Sequence, residues 1–202
     1  MNRQSSLARF FRLVFQAGNQ IRQVKHELKY SSCILLCASL FPGFAVTAMA
    51  DPATEYRIKT AFLYNFAHYT EWPGSFNDNF NLCFYGNHPF GAYLDHLREK
   101  QVQGHAVLIR ETSDIGALHD CQLVFVGRNR MVDLKEIIES VAGKPILIVS
   151  DNPGTIQPGI MLNMDLTKEG KIGFEADLGV ARKNGLNFSS QLLRIAKNMR
   201  NE

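Results

Sequence analysis

Cysteine is scarce in this chain, at four residues in 202, which excludes a scaffold stapled by many disulfides. Long apolar runs are missing too. The stretch that opens at Cys33-Ile34-Leu35-Leu36 and reaches Val46 is broken by Pro42-Gly43 and is too short to span a bilayer. After it no repeat, low-complexity tract or linker divides the residues, so they read as one domain. An excess of one charge is also lacking, once the chain is divided where its composition changes.

That division falls near residue 50. The first thirty residues carry Arg3, Arg9, Arg12, Arg22, Lys25 and Lys29 against the single acid Glu27, and Ala48-Met49-Ala50 closes the apolar stretch that follows. A basic start, a short apolar core and an A-x-A ending read as a secretory signal peptide over residues 1–50, cut between Ala50 and Asp51. A retained membrane anchor is the alternative; Leu36 before Cys37 is too large for lipoprotein processing. Cutting there leaves 16 Lys and Arg against 18 Asp and Glu, so the formal +3 of the whole chain becomes −2 for residues 51–202. A balanced, exported domain has no electrostatic footprint for nucleic acid, and nothing in it predicts direct insertion into a membrane.

Cys33 and Cys37 leave with the leader. In the oxidising compartment beyond it, Cys83 and Cys121 most simply form one bridge, although two unbridged buried thiols fit the sequence as well. Closing a loop of about 39 residues would contribute roughly 3 to 4 kcal/mol on the chain-entropy model.

Residues 54–70 are helical by pattern, with Ile58, Ala61, Phe62, Phe66 and Tyr69 on one stripe; Leu63, Tyr64 and Ala67 widen the apolar surface and make a second face that is either core or a partner or dimer surface. Strands are predicted over 81–85, 105–110, 121–126 and 145–149, with helices over 89–100 and 132–141 between them. The runs CQLVFV and PILIV are continuous in the manner of strands buried on both faces. Alternation of this kind predicts an α/β fold: an open, mostly parallel sheet with helices on both faces and flavodoxin-like order. Residues 160–166 and 171–176, joined by Thr167-Lys168-Glu169-Gly170, add an antiparallel hairpin, and a helix carrying Leu192, Leu193 and Ala196 closes the chain. In flavodoxin-like order the first and third strands are neighbours, which would bring Cys83 towards Cys121.

No cofactor motif follows any strand. Gly86-Asn87-His88-Pro89-Phe90-Gly91 has the glycine spacing of a phosphate loop, but Ala92 and Tyr93 stand where Lys and Ser/Thr belong. There is no G-x-S-x-G elbow and no S-x-x-K. His68, His88, His96, His105 and His119 lack metal-ligand spacing. Glu175 and Asp177 are read as ion-pair partners for Arg182, and Ser189-Ser190 as a helix cap. The residues therefore predict no catalytic site and no cofactor. Were a small ligand bound, the strand carboxyl ends at Gly86, Gly127 and Asp151 are where open α/β sheets place one.

Six segments, in order, carry a family resemblance: Ala61-Phe62-Leu63-Tyr64-Asn65-Phe66-Ala67 with Glu71-Trp72-Pro73; Leu82-Cys83-Phe84-Tyr85-Gly86; Cys121-Gln122-Leu123-Val124-Phe125-Val126-Gly127; Pro145-Ile146-Leu147-Ile148-Val149-Ser150-Asp151; Gly159-Ile160-Met161-Leu162-Asn163; and Gly173-Phe174-Glu175-Ala176-Asp177-Leu178 through to Ser189-Ser190-Gln191-Leu192-Leu193. Together they resemble the YfiR-like periplasmic proteins. The resemblance implies a periplasmic, commonly homodimeric α/β domain. It also implies a non-enzymatic role, binding the periplasmic sensor region of a membrane-bound diguanylate cyclase, repressing it, and so lowering cyclic di-GMP and biofilm formation. Cys83 and Cys121 match the family's disulfide positions. A second cysteine pair found in some members, near residues 151–160, is absent here, and Asp177 stands where Asn is expected. A small-molecule-binding sensor module is the alternative reading.

Overall fold

In the computed structural model, the structure describes residues 52–201 except 75, 77 and 168. The signal peptide expected over residues 1–50 and its cleavage point at Ala50 and Asp51 lie outside the described residues. Among the described residues ten strands form: β1 (Thr70–Glu71), β2 (Phe80–Tyr85), β3 (Gln101–Val102), β4 (His105–Thr112), β5 (Leu123–Val126), β6 (Leu147–Ser150), β7 (Leu162–Leu166), β8 (Ile172–Asp177), β9 (Asn187–Phe188) and β10 (Asn198–Arg200). The helices are α1 (Pro52–Tyr69), α2 (Asp95–Arg98), α3 (Leu134–Val141), α4 (Leu178–Lys183) and α5 (Ser190–Leu193).

Eight strands make one sheet in the order β10-β8-β7-β6-β5-β2-β4-β3. Its centre, β4-β2-β5-β6-β7, is all parallel and follows the flavodoxin-like order. The hairpin β7–β8 is antiparallel, and β10 returns parallel to β8. Because β2 and β5 are neighbours, Cys83 and the Cys121 just before β5 stand with their Cα atoms 6.0 Å apart and form a disulfide.

The two faces of the sheet are covered differently. One carries α1 and an aromatic cluster of Phe66, Phe80, Phe84, Phe90, Phe125 and Phe174, in which Phe90 meets Phe125 edge to face at 5.0 Å and Phe66 meets Phe174 at 4.9 Å. The other carries α3 and an aliphatic cluster of Val124, Val126, Ile137, Val141, Ile146 and Ile148, together with the disulfide.

Several expectations need correction. The buried stripe of α1 runs through Lys59, Leu63, Phe66 and Ala67, while Ile58 and Ala61 are exposed. Leu63 and Ala67 are therefore core residues and offer no surface to a partner; Tyr64 beside them is half-buried, its hydroxyl donating to the Gln101 carbonyl. The phase shifts because a lysine lies inside the stripe. The single helix expected over 89–100 is a 3-10 turn at Gly91–Leu94 followed by α2, after which Gln103 and Gly104, both at positive φ, turn the chain into β4. The helix expected from residue 132 begins at Leu134, and 3-10 turns at Arg128–Asp133 precede it. The terminal helix stops at Leu193, and residues 198–200 are a strand instead.

Candidate functional site

The carboxyl ends of β2, β5 and β6 bring Gly86, Gly127 and Asp151 to one end of the sheet. Asp151 is buried, and so is Lys59, whose ammonium lies 2.5 Å from Asp151 Oδ2 and 2.5 Å from Glu55 Oε1. Arg128 donates from Nε to the Asp151 carbonyl at 2.7 Å, and the Tyr56 ring lies 4.7 Å from the Lys59 ammonium. Every charge in this cluster has an opposite partner, which is the condition under which a lysine can be buried. Its chemistry is structural: it pins the start of α1 to the end of β6.

The crevice over β2 and β5 is filled by protein. The Arg130 side chain lies so close over Gly86 that a Cβ there would meet its Nε at 2.5 Å, and Asn129 reaches the Asn87 carbonyl at 3.4 Å beside Gly127. Arg130 also stacks over the Tyr85 ring at 5.3 Å and pairs with Asp133 at 3.4 Å. His88 is tucked against the Phe84 ring at 4.2 Å with Glu111 Oε1 3.3 Å from its Nε2; neither ring nitrogen is in a well-aligned hydrogen bond.

Open space lies on the α3 face instead. A hollow of about 690 Å³ is lined by Tyr85, Asp114, Ile115, Glu136, Glu139 and Ser140 among others, and a groove of about 430 Å³ by Met131, Val132, Ile138, Pro158 and Gly159. Gly86, Gly127 and Asp151 line neither. Burial first, and then the nearby Asp133 carboxylate, hold the Tyr85 phenol above its ordinary value, while Arg130 works the other way, so the phenol is neutral at pH 7. Ser140 Oγ lies 3.3 Å from His119 Nε2, a distance that invites a nucleophile-and-base reading. However, the Lys144 ammonium, which can only donate, sits 2.5 Å from His119 Nδ1. The ring proton then belongs on Nε2, the tautomer that cannot take a proton from serine. Among the described residues no group of three or more His, Cys, Asp or Glu side chains is assembled to hold a metal ion.

The closing segment is architectural. Asp177 accepts from Val180 N at 2.8 Å and caps α4, and Ser189 accepts from Leu192 N at 3.3 Å and caps α5. The ion pair expected with Arg182 does not form: Glu175 accepts from Ile156 N at 3.1 Å and Arg182 donates to Asn201. Glu175, with Arg200 donating to the Ile156 carbonyl and Asn163 bonded to both N–H and C=O of Asn152, ties down the loop over 151–160.

The model of the YfiR/HmsC-like family matches residues 56–197, from the first helix to the residue before β10. The chain belongs to that family. No curated protein matches it. Within the YfiR/HmsC-like match lie the disulfide, Lys59, Asp151 and every residue of the hollow and groove named above. Sequence reasoning missed Lys59, because a lysine is assigned to solvent by default. It missed Val132 because that residue fits the start of an amphipathic helix; Met131 and Val132 adjacent to each other, outside the i, i+3, i+4 spacing, were the available signal.

Proposed function

We propose that the mature domain is a periplasmic regulatory binding protein that represses a membrane-bound diguanylate cyclase through the cyclase's periplasmic sensor region, lowering cyclic di-GMP and with it biofilm formation. The observation that carries this reading is the YfiR/HmsC-like match across nearly the whole exported domain. Two features support it. The Cys83–Cys121 bridge suits an oxidising compartment, and among the described residues no helix is long and apolar enough to cross a membrane. The protein works by binding rather than by catalysis, as a homodimer. Deleting the gene and measuring cyclic di-GMP tests the reading: a rise, together with co-purification of a membrane cyclase with the tagged protein, is expected, and an unchanged level without a co-purifying cyclase refutes it.

A second reading is a small-molecule sensor. The hollow beside Tyr85, at the carboxyl end of β2, favours it. Native mass spectrometry of protein purified from the periplasm would show a bound metabolite under this reading and the bare protein mass otherwise.

A further inference from the structure

The hollow and the groove on the α3 face form one surface, because Glu139 lines both. Its apolar part is built by the 3-10 turns before α3. They carry Val132 outward until it is 87% exposed, while Met131 and Ile138 stand half-buried beside it. Pro158 and Gly159 form the opposite wall, held so near that a Cβ on Gly159 would collide with Ile138 Cδ1. Beyond Glu139 the surface becomes acidic. Asp114, Glu136 and Glu139 line the hollow with no lysine or arginine among its walls. Lys135 reaches Glu139 only at 3.9 Å in an exposed pair worth little. Arg130 touches the hollow's edge at Ser113 but is paired with Asp133. Glu136 forms no ion pair among the described residues.

We propose that this face is the docking surface for a basic amphipathic segment of the partner, which seats an apolar side chain in the groove against Val132 and a lysine or arginine in the hollow against Glu136 and Glu139. The inference rests on the regulatory reading above and names the chemistry of the segment within the cyclase's periplasmic region. Charge selects the occupant. A second copy of this chain, docking face to face through a two-fold axis, would bring its own Glu136 and Glu139 towards the same acids. A basic segment gains attraction where that copy meets repulsion.

Replacing Val132 by a photo-crosslinking phenylalanine in the full-length protein, expressed in its source cells, reads the occupant directly, with the same replacement at exposed Met199 and Ile58 as comparison positions. Irradiation at position 132 is expected to capture the periplasmic region of a diguanylate cyclase, at a peptide bearing lysine or arginine within about one helical turn of the linked residue. The Glu136→Lys, Glu139→Lys double variant should cut that yield about tenfold at unchanged melting temperature. Capture of a second copy from position 132 overturns the proposal. So does capture of the cyclase from Met199 or Ile58 but not from 132, or a yield indifferent to charge reversal; in these last two cases the regulatory reading stands. Failure of all three positions to capture a cyclase overturns that reading and the proposal with it.

Discussion

The two faces of the sheet solve the burial problem differently. The α1 face is closed by interlocked aromatic rings beneath an eighteen-residue helix, and the buried Lys59 is matched by Asp151 and Glu55. The α3 face has a smaller aliphatic core, an eight-residue helix and a disulfide that staples β2 to the approach of β5. A short helix cannot cover the face, and the uncovered part is where Val132, the groove and the acidic hollow lie. The sealed face therefore sets the fold, and the stapled, half-covered face carries the open surface proposed above to dock the partner.

This contrast can be broken at four points, from the largest effect to the smallest. Lys59→Met removes the cation from between the buried Asp151 and the part-buried Glu55 and should lower stability by about 3 to 5 kcal/mol in urea unfolding, because a buried charge without its partner is costly. Adding Asp151→Asn should restore part of the loss; no loss at all would mean that the α1 face is not keyed by charge. Reducing the Cys83–Cys121 bridge should cost roughly 3 to 4 kcal/mol on loop-entropy grounds, with two thiols of the mature domain (residues 51–202) labelled after denaturation under reducing conditions and none without reductant. Thiols reactive in the unreduced protein would remove the staple from the account. Tyr85 makes the third point. Its raised folded-state pKa means the fold accommodates the neutral phenol, so its contribution is intact below about pH 10 and is lost as pH rises through the higher folded value. Tyr85→Phe should accordingly flatten the fall in melting temperature above pH 10, and an unchanged slope would show that the phenol is not protected. Val132→Asp, at an exposed position, should shift unfolding by no more than about 0.5 kcal/mol. A larger shift would make Val132 part of the core rather than of a surface.

Much of the sealed architecture was legible in the sequence. Strands β5 and β6 are buried on both faces, so their residues are continuous apolar runs, and Gly170 marks the β7–β8 hairpin. The disulfide was the simplest reading of two cysteines in an exported domain, and strand order added to it by making their strands neighbours. The phase of α1 was not legible, because its stripe passes through Lys59, and a lysine's burial depends on Asp151, 92 residues away. Strands β1, β3, β9 and β10 have two or three residues each, too few to show a periodicity, and β1, β9 and β10 exist only through partners distant in the chain. The open face was hidden for a related reason. Only the 3-10 winding of residues 128–133 separates Val132 from the amphipathic helix that follows, and the adjacency of Met131 and Val132 is the single mark that winding leaves in the hydrophobic spacing.

The claim that the α3 face does the regulatory work is tested most directly by complementing a gene deletion with paired charge reversals and measuring cellular cyclic di-GMP. Glu136→Lys with Glu139→Lys alters the α3 face; Arg57→Glu alters the exposed side of α1. The first is expected to leave cyclic di-GMP as high as in the deletion while the second restores the low wild-type level, at equal periplasmic amounts of both proteins. Full repression by the α3-face variant, with loss of repression by Arg57→Glu, would contradict the account.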